Sequence, residues 1–99
     1  MTISRTDDGG AIILAVGGRL DTRTSPQFQE AMIPLFDEEK EVRIDFADVV
    51  YVSSAGLRVL LMGAKMAKAK GTTMTLLNVS AEVMNVLEIT GFAGILTIE

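Results

Sequence analysis

Two adjacent hydroxyls, Ser53 and Ser54, stand where a β-prone apolar run gives way to a helical pattern, with Gly56 close behind them. A serine at such a junction has two uses. It can accept a hydrogen bond from a first-turn N–H as a helix cap, a role worth about 1 kcal/mol. It can also carry a phosphate, because the helix N-terminus presents free N–H groups and roughly half a positive charge to an anion. Spacing leaves both open. Gly56 is equally two-sided, since glycine costs up to about 1 kcal/mol relative to alanine so early in a helix. It either leaves room for a bulky group beside the backbone or lets the helix pack closely on a sheet.

The rest of the composition narrows the chemistry. The 99 residues include no cysteine, histidine or tryptophan, which removes disulfides, thiolate zinc sites, thiol nucleophiles and imidazole bases. Only carboxylates, hydroxyls and amines remain, so the expectation is a non-enzymatic protein with no catalytic residues, no metal and no cofactor. Gly9-Gly10 and Gly17-Gly18 read as turns, and no Gly-x-x-x-x-Gly-Lys loop is present, which weighs against a small nucleotide-binding protein. A net charge of −4 speaks against nucleic acid as a partner. Nothing from Met1 to Arg5 begins a long apolar stretch, and no window has the roughly 18 apolar residues of a membrane span. The expectation is a cytoplasmic protein with no direct membrane insertion, forming one domain over residues 1–99 with a single core.

The elements that position the serines follow from periodicity. Thr2 to Thr6 and Ala11 to Val16 flank the turn signal Asp7-Asp8-Gly9-Gly10 and predict a β-hairpin. Thr24-Ser25-Pro26 sets a capping hydroxyl before a helix in which Phe28, Ala31, Met32, Leu35 and Phe36 share a face, and Pro34 should kink it or end it early. Val42, Ile44 and Phe46 alternate with polar residues as a strand, and a short loop leads to the second helix at Ser53-Ser54, which Gly71 ends. Thr73 to Val79 predicts another strand. Ser80 caps a third helix carrying Val83, Val86 and Leu87 that stops at Gly91, and Ile95 to Ile98 adds a short edge strand. The order β-β-α-β-α-β-α-(β) demands right-handed crossovers and partly parallel pairing, so the fold class is α/β, a single mixed sheet covered by helices.

Ser53-Ser54-Ala55-Gly56-Leu57-Arg58, preceded by Ile44-Asp45-Phe46 and Val52, resembles the signature of STAS domains, particularly stand-alone bacterial anti-sigma factor antagonists. The run Gly17-Gly18-Arg19-Leu20-Asp21 resembles the family's second marker, and the likeness extends along essentially the whole chain. The resemblance implies a STAS-like fold and a switch in bacterial transcription regulation. The unphosphorylated form would bind an anti-sigma factor with serine kinase activity and free a sigma factor, phosphorylation would end that binding, and a phosphatase would reset it. The family's phosphorylated serine maps onto Ser54, with Ser53 second; the family often has an aspartate where this chain has Ser53. Asp21 matches an acidic residue expected near the phosphorylation site, although a turn or capping carboxylate explains it equally. The same domain also serves in stressosome-like assemblies and as an accessory subunit of membrane transporters, and such a scaffold is the alternative.

The second helix supplies a separate clue. At 100° per residue, Leu57, Leu60, Leu61, Ala64 and Ala67 fall on one side, and Val59, Met62 and Met66 fall opposite them beside Arg58 and Lys65. The second group is either a partner surface, another helix's contact, or scattered surface apolar residues. The candidate partner-binding set is therefore Asp21, Ser53, Ser54, Ala55, Gly56, Arg58, Val59, Met62 and Met66.

Overall fold

The computed structural model describes residues 1–99. The elements are β1 (Thr2–Asp8), β2 (Ala11–Leu20), α1 (Ser25–Met32), a 3-10 segment (Ile33–Glu38), β3 (Glu41–Val52), α2 (Ser54–Ala69), β4 (Met74–Leu77), α3 (Ala81–Ile89), a 3-10 turn (Phe92–Gly94) and β5 (Thr97–Ile98). The sheet order is β1-β2-β3-β4-β5, with β1 antiparallel to β2 and every other pair parallel. Each crossover therefore steps in the same direction, and crossovers of one hand place all three helices on one face. Burial agrees. Ile12, Leu14 and Val16 of β2 and Val42, Ile44 and Phe46 of β3 are in the core, while their alternate neighbours Ile13, Ala15, Arg43 and Asp45 are half-buried on the open face.

Pro34 acts as its covalent structure requires. The α-helix ends at Met32, and the chain continues as 3-10 turns that still bury Leu35 and Phe36. Thr24 does not cap α1 with its side chain. Its hydroxyl donates instead to the Arg19 carbonyl at 2.7 Å and accepts the Asp21 N–H at 2.9 Å, so it folds the loop before the helix. Ser80, in contrast, caps α3 by accepting the Val83 N–H at 3.2 Å.

Gly17-Gly18 is not a turn. β2 runs through it to Leu20, and the register against β3 shifts between Ala15 and Gly17 and again between Gly18 and Arg19, each shift adding one residue to β3. The two bulges change the burial period of β3 from two to three, so that Phe46, Val49 and Val52 face inward while Ala47, Asp48, Val50 and Tyr51 are exposed. Alternation consequently stops at Phe46, although the strand continues to Val52, and no loop separates β3 from α2 beyond Ser53 itself. Asp45 secures the first bulge by accepting from the Ala47 N–H at 2.9 Å and from Asn78 Nδ2 at 3.1 Å.

At the opposite sheet edge, the Arg5 guanidinium of β1 makes two 2.7 Å hydrogen bonds to Glu38 and also engages Asp7. These contacts hold the Asp7 and Glu38 carboxyls below their ordinary values of 3.8 and 4.5. Because the folded-state values are depressed, the stability they bring is present above the ordinary values and is lost as pH falls through the depressed ones. Thermal melts of wild type and Arg5→Ala should differ at pH 7 and draw together as the pH falls through and below the ordinary carboxylate range; a constant difference would show that Arg5 acts by packing alone.

Candidate functional site

The two sequence markers meet at one edge of the sheet because β2 and β3 are parallel neighbours whose C-terminal ends lie side by side. Leu20, the last residue of β2, pairs with Val52, the last of β3. Its carbonyl accepts the Ser53 N–H at 2.8 Å. Gly56 packs directly on Leu20: a Cβ there would lie 2.7 Å from Leu20 Cγ and 2.9 Å from the Leu20 oxygen. Gly56 is thus buried by the protein itself, and close packing accounts for it. The space it leaves is filled by Leu20, so Gly56 offers no surface to a partner.

Ser53 and Ser54 differ sharply in situation. Ser53 is the N-cap of α2, with extended backbone and its Oγ accepting the Gly56 N–H at 3.4 Å, and it is half-buried. Ser54 is the first helical residue and is exposed, with the half-buried Ala55 beside it. The amides of Ser54 and Ala55 belong to the first turn, which has no intrahelical acceptors to offer them.

Asp21 directly follows Leu20. Its carboxylate accepts the N–H groups of Arg23 at 3.0 Å and Thr24 at 3.2 Å and lies 3.6 Å from Arg19 Nε. Partial desolvation alone would raise its pKa, but the Thr24 and Arg23 amides, the Thr24 hydroxyl and Arg19 outweigh it and hold the carboxyl below the usual range. In the structure Asp21 works as the turn carboxylate, placed at the same edge as the start of α2.

Along α2 the buried side is turned relative to the leucine stripe. Gly56, Leu57, Val59, Leu60, Gly63 and Ala67 are buried, while Leu61 is only half-buried. Val59 is 5% exposed and belongs to the core, which corrects its place in the outward-facing group. The physical reason is the pair of glycines. Gly63 packs against the side chains of Met32 and Met74, as Gly56 does against Leu20, and glycine adds closeness without adding hydrophobicity. Met62 stays outside at 41% exposure, Met66 is half-buried, and together with Ile33, Lys65 and Ala69 they line a shallow groove of about 350 Å³.

Sequence reasoning missed Arg19, Val50 and Tyr51. The Arg19 guanidinium stacks over the Tyr51 ring at 4.2 Å from its centroid, the two residues being paired across β2 and β3. Val50 is 63% exposed and, with Tyr51, borders a small cleft between β3 and the Val83–Val86 side of α3. The bulges put both residues there, and only the unbroken run Val49-Val50-Tyr51-Val52 hints at it in the sequence.

This geometry, with a capped helix start held against the end of a parallel neighbour strand, accompanies a family match. A model of the STAS domain matches residues 2–99. The chain belongs to the STAS domain family. Among its relatives, an anti-sigma-B factor antagonist of Bacillus subtilis is 32% identical over 83 residues, covering 84% of this chain and 76% of that protein. An anti-sigma-B factor antagonist of Listeria monocytogenes is 30% identical over 93 residues, covering 93% of this chain and 82% of that protein. The fold is shared with an anti-sigma-factor antagonist (STAS) domain protein from Planctomyces limnophilus, with a TM-score of 0.85 at 19% identity, covering 98% of this chain and 87% of that one. No helix of this STAS chain is long and apolar enough to cross a membrane.

The corrected helix face has a direct test. Val59→Asp buries an unpaired charge and should cost about 3–5 kcal/mol, whereas Met62→Asp at the surface should stay within about 0.5 kcal/mol of wild type. Urea unfolding of both variants decides it, and equal losses would return Val59 to the surface.

The two serines separate by the same method. Ser53→Ala removes the cap and should lose about 1 kcal/mol, a fall in Tm of roughly 4–8 °C for a chain of this size, while Ser54→Ala should leave Tm nearly unchanged.

Proposed function

We propose that this chain is an anti-sigma factor antagonist that works as a phosphorylation-controlled binding module. Unphosphorylated, it binds an anti-sigma factor with serine kinase activity and so releases a sigma factor; phosphate on Ser54 ends the binding, and a phosphatase restores it. The observation that carries this reading is the division of labour between the serines. Ser53 is occupied in capping α2, which leaves the exposed Ser54 free for modification without loss of the cap. The names of the relatives at 30% and 32% identity support the choice of partner.

A phosphate adds about −1.5 to −2 charges at neutral pH. At the first residue of a 16-residue helix it meets unsatisfied amides and the positive end of the dipole, so the fold tolerates it. The switch then acts at the partner surface rather than by unfolding. The chain itself turns nothing over, in keeping with the regulatory role of its family.

Incubation with the cognate anti-sigma kinase and ATP, followed by mass spectrometry, should place one phosphate on Ser54 and none on Ser54→Ala. Ser54→Asp should weaken partner binding at unchanged Tm. Full phosphorylation of Ser54→Ala would reassign the site to Ser53, and undiminished binding by Ser54→Asp would remove the electrostatic account.

A further inference from the structure

The charges of this chain are segregated. Residues 54–70 hold Arg58, Lys65, Lys68 and Lys70 and no acid, while the remaining five cations share the rest of the chain with all thirteen acids. α2 is a positive rod on an otherwise strongly negative protein. Lys70, just past its end, pairs with Asp37 at 3.0 Å, and Arg5, Arg19, Lys40 and Arg43 all lie in ion pairs. Arg58, Lys65 and Lys68 take part in none, and all three are exposed; the one other unpaired cation, Arg23, stands alone in the Asp21 loop beside acidic Asp21. At 3.6 residues per turn they share with Ser54 and Met62 an arc of about 120° on the outside of the helix. The Met62–Met66 groove runs beside them.

We propose that this outer face of α2 is a docking strip for an acidic segment of the anti-sigma factor, anchored by an apolar side chain in the Met62–Met66 groove, and that phosphate on Ser54 closes the strip by drawing Arg58 to itself. The inference rests on the reading of Ser54 as the phosphoacceptor. Unpaired cations without an acid among them leave the face complementary to carboxylates, and complementary potentials fix partner choice and speed encounter. The strip is short and the rest of the molecule is negative. An extended polyanion or an anionic membrane is therefore repelled beyond the strip, whereas a few carboxylates on a folded partner fit within about one Debye length, roughly 8 Å in physiological salt. Methionine, soft and unbranched, suits an apolar anchor of adaptable shape.

Arg58 connects the strip to the switch. It lies one helical turn after Ser54, and its Nε is 3.5 Å from the Ser54 carbonyl oxygen, so its guanidinium already leans towards the helix start. Guanidinium and phosphate form bidentate, charge-assisted hydrogen bonds. A phosphoserine would occupy Arg58 and place its own negative charge on the face that a carboxylate must approach.

Two measurements separate this proposal from the reading beneath it. The first needs no partner. In protein carrying phosphoserine installed at Ser54 during translation, a ³¹P NMR titration should show the phosphate's second pKa rising by about half a unit on Arg58→Gln; an unchanged value overturns the role of Arg58. The second uses calorimetry with the purified anti-sigma factor. Arg58→Glu and Lys65→Glu should each weaken binding at least tenfold and flatten its salt dependence at unchanged Tm, while Lys40→Glu, at the other end of the sheet, should stay within twofold. Equal losses from Lys40→Glu would mean that net charge alone matters, and no loss at Arg58 or Lys65 would remove the strip while leaving the proposed function standing. If wild type binds no anti-sigma factor, the function itself fails, and the phosphate titration still decides Arg58. Self-association, or binding to phosphatidylglycerol vesicles, abolished by Arg58→Glu would assign the strip to a second copy or to a membrane and overturn the proposal.

Discussion

The contact between Gly56 and Leu20 is the point on which the rest of the arrangement depends. A backbone without a side chain comes within van der Waals reach of the last residue of β2, and the Leu20 carbonyl takes the Ser53 N–H from the same approach. This fixes the height of α2 above the sheet and the direction in which its first turn points. It also brings the Asp21 loop and the paired serines to one edge, although more than thirty residues separate them in the chain. Gly63 repeats the contact two turns later against Met32 and Met74, so the helix lies close to the sheet along its length. Close approach at two points determines which residues must face outward, and the exposed basic strip is the consequence.

The bulges in β3 form the second half of the same device. Two extra residues against β2 lengthen β3 on its way to the helix and twist it, and the inward positions shift from every second residue to every third. Val50 and Tyr51 are carried to the surface, and Arg19 settles on the Tyr51 ring. A regular ladder would have turned one of these residues into the core. The bulges therefore shape the surroundings of Ser54 without contributing a hydrogen bond to it, while Asp45 and Asn78 hold the distortion in place.

Electrostatics divides the molecule in a way that the core does not. Most cations are neutralised locally, as Arg5 is by Glu38 and Asp7 and Arg43 by Glu41 and Glu99. Such exposed pairs contribute little to stability individually, but they leave α2 with three of the four unpaired cations, Arg23 of the Asp21 loop being the other. A helix that pairs none of Arg58, Lys65 and Lys68 internally is suited to contacts made elsewhere.

Much of this was legible in the sequence. The β-hairpin, a serine cap at Ser53 or Ser54 and another at Ser80, the interruption at Pro34 and the order of elements follow from local chemistry: turn residues, hydroxyls that accept first-turn amides, a ring that removes an N–H, and apolar periods of two and 3.6. Local chemistry marked the strand-to-helix junction at Ser53-Ser54 but left its use open, and only the resemblance to STAS domains singled out Ser54. Three things were settled only by tertiary structure. The true face of α2 depends on glycines that pack closely yet carry no hydrophobic signal, so a stripe read from leucines was turned and Val59 was placed outside. Gly17-Gly18 became a bulge instead of a turn because β3 supplies a partner for the backbone on both sides of it. Thr24 left its cap for the Asp21 loop, where the Arg19 carbonyl and the Asp21 amide were within reach. Local residue chemistry determined which elements form and where they begin, whereas their facing and their contacts were decided by the distances between backbones, which no single segment encodes.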